Sequence, residues 1–351
     1  MNDQHTDAAD RPAANPGPAP LGLRLALRLY PARYRAERGA EIAAVHADAT
    51  ADAGRWIRAR ESAGVAAYGL RVRSGLAADR PAGRLLAVLA PLAAVAALGG
   101  ALPSIAQLLH HWLFDQAPAG NHDPNWQLMM TAHAVAYGLW LPVVAAALFG
   151  RWTAVRVLAT LAALAAVAAW GTDMYALTAG MPGFPVQFDL SLLVQQCGPA
   201  VLWALLVLAA PPDLLARRPL LRRRPELPAA LLVLALTGAL TYFLNDNGTW
   251  KDAAVYQAIA VAGLSLSLLS LAALRWGRLL PAAVGLALLP PALMCGAIEA
   301  FVTVQFGSSV TFSYPAVLVG FVAGAVLLAL LTAAAVRFLH RSPGTAGPAG
   351  A

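Results

Sequence analysis

Most of the chain after residue 84 consists of continuous apolar runs separated by short polar gaps. Each run approaches the roughly 20 residues that an α-helix needs to cross a hydrocarbon core of about 30 Å. Apolar and polar residues do not alternate within the runs, which excludes the strands of a membrane barrel. The pattern therefore predicts an all-α protein, a polytopic membrane helical bundle of about eight transmembrane helices. The predicted segments are Leu85 to Leu108, Trp126 to Phe149, Thr153 to Gly171, Leu190 to Ala210, Pro228 to Leu244, Ala253 to Leu274, Leu279 to Val304 and Pro315 to Leu339.

The region before these runs has a different pattern. At the start of this region Leu21, Leu25, Leu27 and Leu29 alternate with Arg24 and Arg28, and apolar residues recur at helical spacing further on. Up to Gly75 no apolar run is long enough to span a membrane. We expect short amphipathic helices there. The two ends are rich in Ala, Pro and Gly or Asp, which is typical of disordered segments. The predicted divisions are a disordered tail at 1–20, a cytoplasmic helical prefix at 21–84, the membrane domain at 85–341 and a second tail at 342–351.

The charges between the apolar runs indicate an orientation. The eleven arginines after Arg84 fall in alternate gaps, whereas the intervening gaps carry one cation, Lys251, and several aspartates, Asp173 among them. Cytoplasmic loops of membrane proteins carry an excess of Lys and Arg. The pattern predicts a multi-pass protein of the bacterial inner membrane with both termini in the cytoplasm.

Composition supports this class of protein and narrows the function. Hydrophobic residues make up 59% of the 351 residues and charged residues only 12%, against about 25% charged in soluble domains. The net charge of +7 is explained by an anionic cytoplasmic leaflet, so we expect a lipid partner and no nucleic acid. No phosphate-cradling loop, zincin motif, dinucleotide fingerprint or nucleophile elbow occurs. We therefore predict no cofactor and no catalytic residue, although an intramembrane enzyme remains an alternative.

One segment of the prefix resembles known proteins, and it reads Tyr30-Pro31-Ala32-Arg33-Tyr34-Arg35-Ala36-Glu37-Arg38-Gly39-Ala40-Glu41. It is similar to a cytoplasmic prefix that precedes the membrane helices of many actinobacterial multi-pass proteins, some of them permease-like. The resemblance covers roughly residues 21–84 and implies a small helical domain at the inner face, but no substrate. Arg38 and Glu41 within it are three residues apart and able to pair on one helix.

Titratable side chains within apolar runs are costly in a bilayer and therefore mark candidate sites. Glu299 and His133 both fall roughly 8 to 10 Å beneath the predicted outer boundary, at 1.5 Å per residue. Other polar residues occur at that level, while the inner halves of the helices are nearly pure Ala, Leu and Val. We expect an outward-facing polar cavity that binds a small solute or a proton. The predicted binding residues are Glu299, His133, Gln195, Gln257, Tyr137 and Thr303.

Helical spacing divides these residues into two stripes. His133, Tyr137 and Trp140 share one face of the second segment, and Glu299 and Thr303 share a face of the seventh. A Glu299/His133 pair could exchange a proton near neutral pH. A structural carboxylate, hydrogen-bonded to a neighbouring helix, is the alternative.

Three further features allow more than one interpretation. The pair Pro290-Pro291 is either an ordinary kink or a break whose freed carbonyls hold a ligand. The alanines of the third segment and Gly320-x-x-x-Gly324 of the last favour close helix packing. The loop with His110, His111, Asp115, His122 and Asp123 has metal-ligand residue types but no recognised spacing, so no metal is predicted.

Two functions fit these observations. The first is a permease-like or transport-related bundle that uses the polar cavity. The alternative is a membrane-embedded regulatory or sensory protein, in which residues 21–76 bind a cytoplasmic protein partner.

Overall fold

The computed structural model describes residues 20–114, 124–180, 190–215, 226–246 and 253–306, and within them every regular element is a helix. The all-α prediction is confirmed for this part of the chain. The chain divides into two compact units, residues 1–77 and 78–351.

The first unit contains three helices, α1 (Leu21–Arg28), α2 (Ala32–Ala49) and α3 (Arg55–Ser74). Pro20 and Pro31 stand immediately before α1 and α2, because proline fixes φ and has no N–H to leave unpaired at a helix start. Gly75 ends α3 in the left-handed region, with φ 73°, a conformation that glycine adopts without steric cost.

Tyr30 is the centre of the first unit. Its side chain is buried, and its hydroxyl donates a hydrogen bond to the Val65 carbonyl across 3.0 Å. The ring stacks on Tyr34 with centroids 5.5 Å apart. It also lies against Gly69, where an added Cβ would come within 2.5 Å of the ring. Only glycine at position 69 therefore lets α3 approach the ring this closely.

Burial raises the pKa of Tyr30 to about 12, and the charges of Tyr34 and Tyr68 add to the shift. Since unfolded tyrosine ionises near pH 10, the unfolded chain loses this proton first, and stability falls between about pH 10 and 12. We expect Tyr30→Phe to destabilise the unit by about 1 kcal/mol at neutral pH. The difference from the unsubstituted protein should shrink above pH 10.

Hydrogen exchange of α3 amides in the full chain, measured from neutral to alkaline pH, tests this prediction. Tyr34→Phe is the matched control, because it also removes one phenolic hydroxyl but leaves the bond to Val65 in place. Equal exchange in both variants would contradict the assigned role of Tyr30.

Two exposed ion pairs lie along α2. Arg33 Nε is 2.9 Å from Glu37, and Arg38 Nη1 is 3.1 Å from Glu41. The Arg38–Glu41 pairing predicted from spacing is therefore present. Exposed helical pairs of this kind contribute about 0.3–0.5 kcal/mol each, so they favour α2 without determining the packing of the unit.

The second unit is a bundle of longer helices. Its last predicted segment, Pro315 to Leu339, lies outside the described residues. The elements are α4 (Pro81–Phe114), α5 (Pro124–Gly138), α6 (Trp140–Leu148), α7 (Trp152–Gly180), α8 (Leu190–Ala209), α9 (Pro212–Leu215), α10 (Glu226–Asp246), α11 (Ala253–Ala272), a 3₁₀ turn (Ala273–Trp276) and α12 (Leu279–Phe306).

Three stretches of the described chain are long and apolar enough to cross a membrane: Pro81–Leu113, Gln127–Leu148 and Trp152–Tyr175. They indicate association with a membrane. The most apolar part of the first is 78% buried within the protein, against 17% and 22% for the other two. Helix α4 is thus central, with α5, α6, α8, α10 and α12 around it.

The outward faces of the surrounding helices are apolar. Leu164 on α7, Leu231 on α10 and Leu269 on α11 are 61%, 59% and 70% exposed. Exposed apolar faces on this scale are typical of proteins whose surface contacts lipid or a partner.

The second predicted segment has a local break at Leu139, whose backbone keeps helical dihedral angles and hydrogen bonds to Val135 and Val143, so the two parts remain one stretch. Helix α5 ends at Gly138 and α6 begins at Trp140. Pro142 explains the break, because it has no N–H for the Gly138 carbonyl four residues earlier and its ring opposes that carbonyl. By contrast, α12 continues through Pro290 and Pro291.

Small residues set the distances between helices, as the sequence suggested for the third segment. Ala159, Ala162 and Ala169 on α7 are buried, and α7 packs against α5, α6 and α8. Helices α11 and α12 approach most closely at Gly263 and Gly285, where an added Cβ would lie 2.7 Å from Ala292 and 2.3 Å from Ser270. The Gly320 and Gly324 motif lies outside the described residues.

Candidate functional site

A cavity of about 270 Å³ lies inside the second unit, between α4, α5, α6, α7, α8, α10 and α12. Thr241 lines it roughly 22 Å along α10 from Glu226, at 1.5 Å per residue, and only about 8 Å from Asp246. The cavity is thus nearer the end of α10 remote from the arginine-rich gap that precedes it. Its lining residues are Ala97, Gly100, Ala101, Ser104, His133, Ala136, Tyr137, Trp140, Ala166, Ala169, Trp170, Pro199, Ala200, Trp203, Thr241 and Pro291.

His133 on α5 holds two polar contacts. Its Nδ1 lies 2.9 Å from the Met129 carbonyl oxygen, and its Nε2 lies 3.5 Å from Asp173 Oδ2 on α7. A carbonyl only accepts, so Nδ1 must carry a hydrogen and donate it. Nε2 then either carries a second hydrogen or presents an unprotonated lone pair to the carboxyl group of Asp173.

The second contact brings the imidazole and the carboxyl group close enough to share one proton. If neither Nε2 nor Oδ2 were protonated, two lone pairs and an uncompensated carboxylate would face each other among apolar helices, which is unfavourable. The arrangement is satisfied by one proton, either on histidine as an ion pair or on Asp173 as a neutral acid. With one shared proton the His133–Asp173 pair, called the dyad below, has no net charge.

Asp173 is the site residue that the sequence reasoning missed. It appeared to belong to a polar gap after Gly171, but α7 continues to Gly180 and buries it at 8% exposure. Its Oδ1 is buried without a hydrogen-bond partner. The sequence did contain a signal for Asp173. It follows Ala166, Ala169 and Trp170 at successive intervals of three, one and three residues, which places all four on one helix face, and the first three line the cavity.

Aromatic side chains form the rest of the wall. Tyr137, Trp140, Trp170 and Trp203 line the cavity, and the Tyr137 ring lies 5.7 Å from the His133 ring. The predicted stripe of His133, Tyr137 and Trp140 thus lines one space. No Lys, Arg, Asp or Glu is among the described lining residues.

Trp203 also explains how α12 accommodates its prolines. Pro291 has no N–H, so the carbonyl of Ala287, four residues earlier, has no donor within the helix. The indole Nε1 of Trp203 donates to this carbonyl across 3.0 Å. A neighbouring helix therefore satisfies the freed carbonyl, as in an ordinary packed kink, and the second sequence-based interpretation, a bound ligand, is not needed at Ala287.

We expect Trp203→Phe to destabilise the full chain by about 1–3 kcal/mol, because it leaves the Ala287 carbonyl buried without a donor. Thermal denaturation of the purified protein in detergent measures the effect. Trp112→Phe is the matched control, since Trp112 is 75% exposed. An equal change in both variants would show that the indole N–H of Trp203 is dispensable.

Four predicted binding residues cannot be placed in the cavity. Glu299 and Thr303 lie on α12, Gln195 on α8 and Gln257 on α11, but their side chains fall outside the described residues. The Glu299–His133 pairing therefore stays a prediction.

The other candidate side chains that the structure describes make contacts that hold helices together. Cys197 is buried and its thiol donates to the Ala166 carbonyl at 3.3 Å, while the Cys295 side chain lies outside the described residues. Arg156 lies inside α7, not in the preceding gap, and its guanidinium donates to the Ala210 carbonyl beyond the end of α8, a favourable position for a cation. Within the described ranges, no three His, Cys, Asp or Glu residues are grouped for a metal ion.

The sequence matches no protein-family model, and neither a curated protein nor a solved structure is significantly similar to it.

Proposed function

We propose that the protein is a multi-pass inner-membrane protein with eight transmembrane helices and cytoplasmic termini. Together with the three long apolar stretches, the lengths of four further helices support seven of these spans, and the eighth, Pro315 to Leu339, is proposed from the sequence. Helices α8, α10, α11 and α12 contain 20, 21, 20 and 28 residues, and 20 residues of α-helix extend about 30 Å. With the arginine-bearing ends in the cytoplasm, the cavity lies in the outer half of the bilayer.

The function that the geometry favours is permease-like, the proton-coupled movement of a small solute through this cavity. The observation that carries the proposal is the His133–Asp173 dyad beside a cavity at a helix junction. Buried ionisable pairs within apolar helices typically mark ion or proton pathways. A cavity slightly smaller than the roughly 300–1,000 Å³ of drug-sized ligand sites fits a small solute.

Transport by the full chain in liposomes tests the proposal. A proton gradient is imposed across vesicles that contain a pH-sensitive dye, and alkylammonium salts, neutral amino acids, polyols and short carboxylates are added in turn. We expect one class to accelerate collapse of the gradient over protein-free vesicles, and His133→Gln to remove the acceleration. If no class does so, the transport function is wrong.

A second candidate is regulation through the first unit, which exposes large apolar side chains. Trp56, Ile57 and Val45 are 80%, 51% and 65% exposed, and such residues are enriched where protein partners bind. In this function a specific cytoplasmic protein binds the unit. Binding to the full chain should be lost in a Trp56→Ala/Ile57→Ala variant and kept in an Arg33→Ala variant.

A further inference from the structure

The wall of the cavity selects among solutes. Its polar lining side chains are Ser104, His133, Tyr137 and Thr241, together with the indole N–H groups. The indole N–H of Trp203 already donates to the Ala287 carbonyl. A polyol would require several more hydrogen-bond partners. A carboxylate would require a cation, but no Lys or Arg is among the described lining residues, and any charge on His133 is balanced by Asp173. The wall therefore discriminates against both classes.

The same wall has the features of a site for an organic cation. Trp and Tyr rings attract alkylated ammonium groups through their negative π-faces, and such groups need no hydrogen-bond acceptor. Four aromatic side chains line this one cavity, and three of them, Trp140, Trp170 and Trp203, are tryptophans, the most favourable type. Asp173 adds the only carboxylate described beside the cavity, joined to it through His133.

We propose that the cavity binds a small organic monocation of the alkylated-ammonium class in exchange for the proton held between His133 and Asp173. This inference rests on the proposed transport function and names its substrate class.

The exchange balances charge. In the proton-loaded state the dyad and the empty cavity have no net charge. When the proton leaves to water, His133 is neutral with Nδ1–H retained by Met129, and Asp173 is a carboxylate with one negative charge. A monocation in the cavity then restores neutrality, so one proton departs for each cation bound, and the two do not occupy the site together.

The other groups near the dyad leave this balance intact. Tyr137 on α5 and Cys197 on α8 are the further titratable groups that interact with Asp173. Both are neutral acids at physiological pH. His110 and His111, on α4, lie at its exposed end. Arg151, immediately before α7, and Arg156, in its second turn, stand at the opposite end of that helix from Asp173.

Choline and its neutral isostere 3,3-dimethyl-1-butanol provide the test, because they have nearly the same shape and differ in charge. Binding to the full-length protein is followed by tryptophan fluorescence, and proton release by an indicator in weakly buffered detergent solution. We expect choline to bind roughly ten-fold or more tightly than the isostere and to release about one proton per molecule bound. The isostere should release none.

Two variants separate the ring contribution from a folding effect. Trp170→Leu should weaken choline binding roughly ten-fold and leave isostere binding unchanged, whereas Trp170→Phe keeps a ring and should retain most of the preference. A loss of both ligands together would indicate a packing role and contradict the cation site.

The outcomes distinguish this inference from the proposed function. Equal binding of choline and the isostere, or binding without proton release, overturns the exchange of cation for proton. If another solute class collapses the proton gradient in liposomes, the transport function stands and only the substrate class is wrong. If no class does so, the transport function is wrong, and choline binding with or without proton release then decides whether the cavity is a cation site.

Discussion

Replacing Asp173 with asparagine is expected to lower proton-coupled flux by roughly 100-fold or more, the scale on which positioned proton-transferring side chains act. The amide has nearly the shape of the carboxyl group but can neither gain nor release the proton shared with His133 Nε2. The folded bundle should persist, because His133 with only its Nδ1 hydrogen is neutral, so the substitution leaves no uncompensated charge buried. Flux in liposomes and the thermal midpoint in detergent are measured together.

Two comparisons make this prediction specific. Asp213→Asn removes an exposed carboxylate on α9 and should leave flux unchanged. His133→Gln should impair flux on the same scale, and the double variant should be little worse than either single variant, because two residues that hold one proton act as a unit. Additive losses, or normal flux in Asp173→Asn, would remove the dyad from the mechanism.

Substituting Gly285 with valine is expected to have the largest effect on stability. Its Cβ would lie 2.3 Å from Ser270 Cβ and 3.1 Å from Ser267 Cα on α11, so the two helices would have to separate. The separation would also disrupt the Ser267 hydroxyl, which lies 2.8 Å from the Gly263 carbonyl and 2.9 Å from that of Gly285. We expect a loss of about 3 kcal/mol, or roughly 6–12 °C in the thermal midpoint.

Gly171→Val is the matched control, because Gly171 also lies within a long helix and nothing lies within 4 Å of an added Cβ there. Valine at this position should change stability by less than about 0.5 kcal/mol. A similar decrease in both variants would mean that the cost arises from valine in a helix and not from the approach of α11 to α12.

Helical periodicity in the sequence relates three of the residues that line the cavity. His133, Tyr137 and Trp140 were grouped by a periodicity of three and four residues, and they line one cavity although a break at Leu139 separates the last of them. Asp173 was not found, because the apolar run ends two residues before it. Hydropathy marks where apolar residues stop, whereas α7 continues through Asp173 because His133 on a neighbouring helix provides a partner for its carboxyl group.

The partner of the Ala287 carbonyl, which Pro291 leaves without a donor in its own helix, also could not be predicted from a local pattern. Pro291 indicated that a carbonyl would lose its donor, but 84 residues separate Trp203 from Ala287. No local pattern relates two positions so far apart, so the choice between a ligand and a neighbouring side chain required the packed bundle.

The sequence by itself determined the helical class, the positions of most helices and the apolar surface, because these follow from hydropathy and periodicity within single segments. Only the tertiary structure decided which side chains meet: His133 with Asp173, Trp203 with Ala287, and Gly285 with Ser270. The physical reason is that helices in apolar surroundings associate through small residues, shape and isolated polar contacts. These depend on the rotation and register of each helix against the next, and neither is recorded in the sequence of one helix alone.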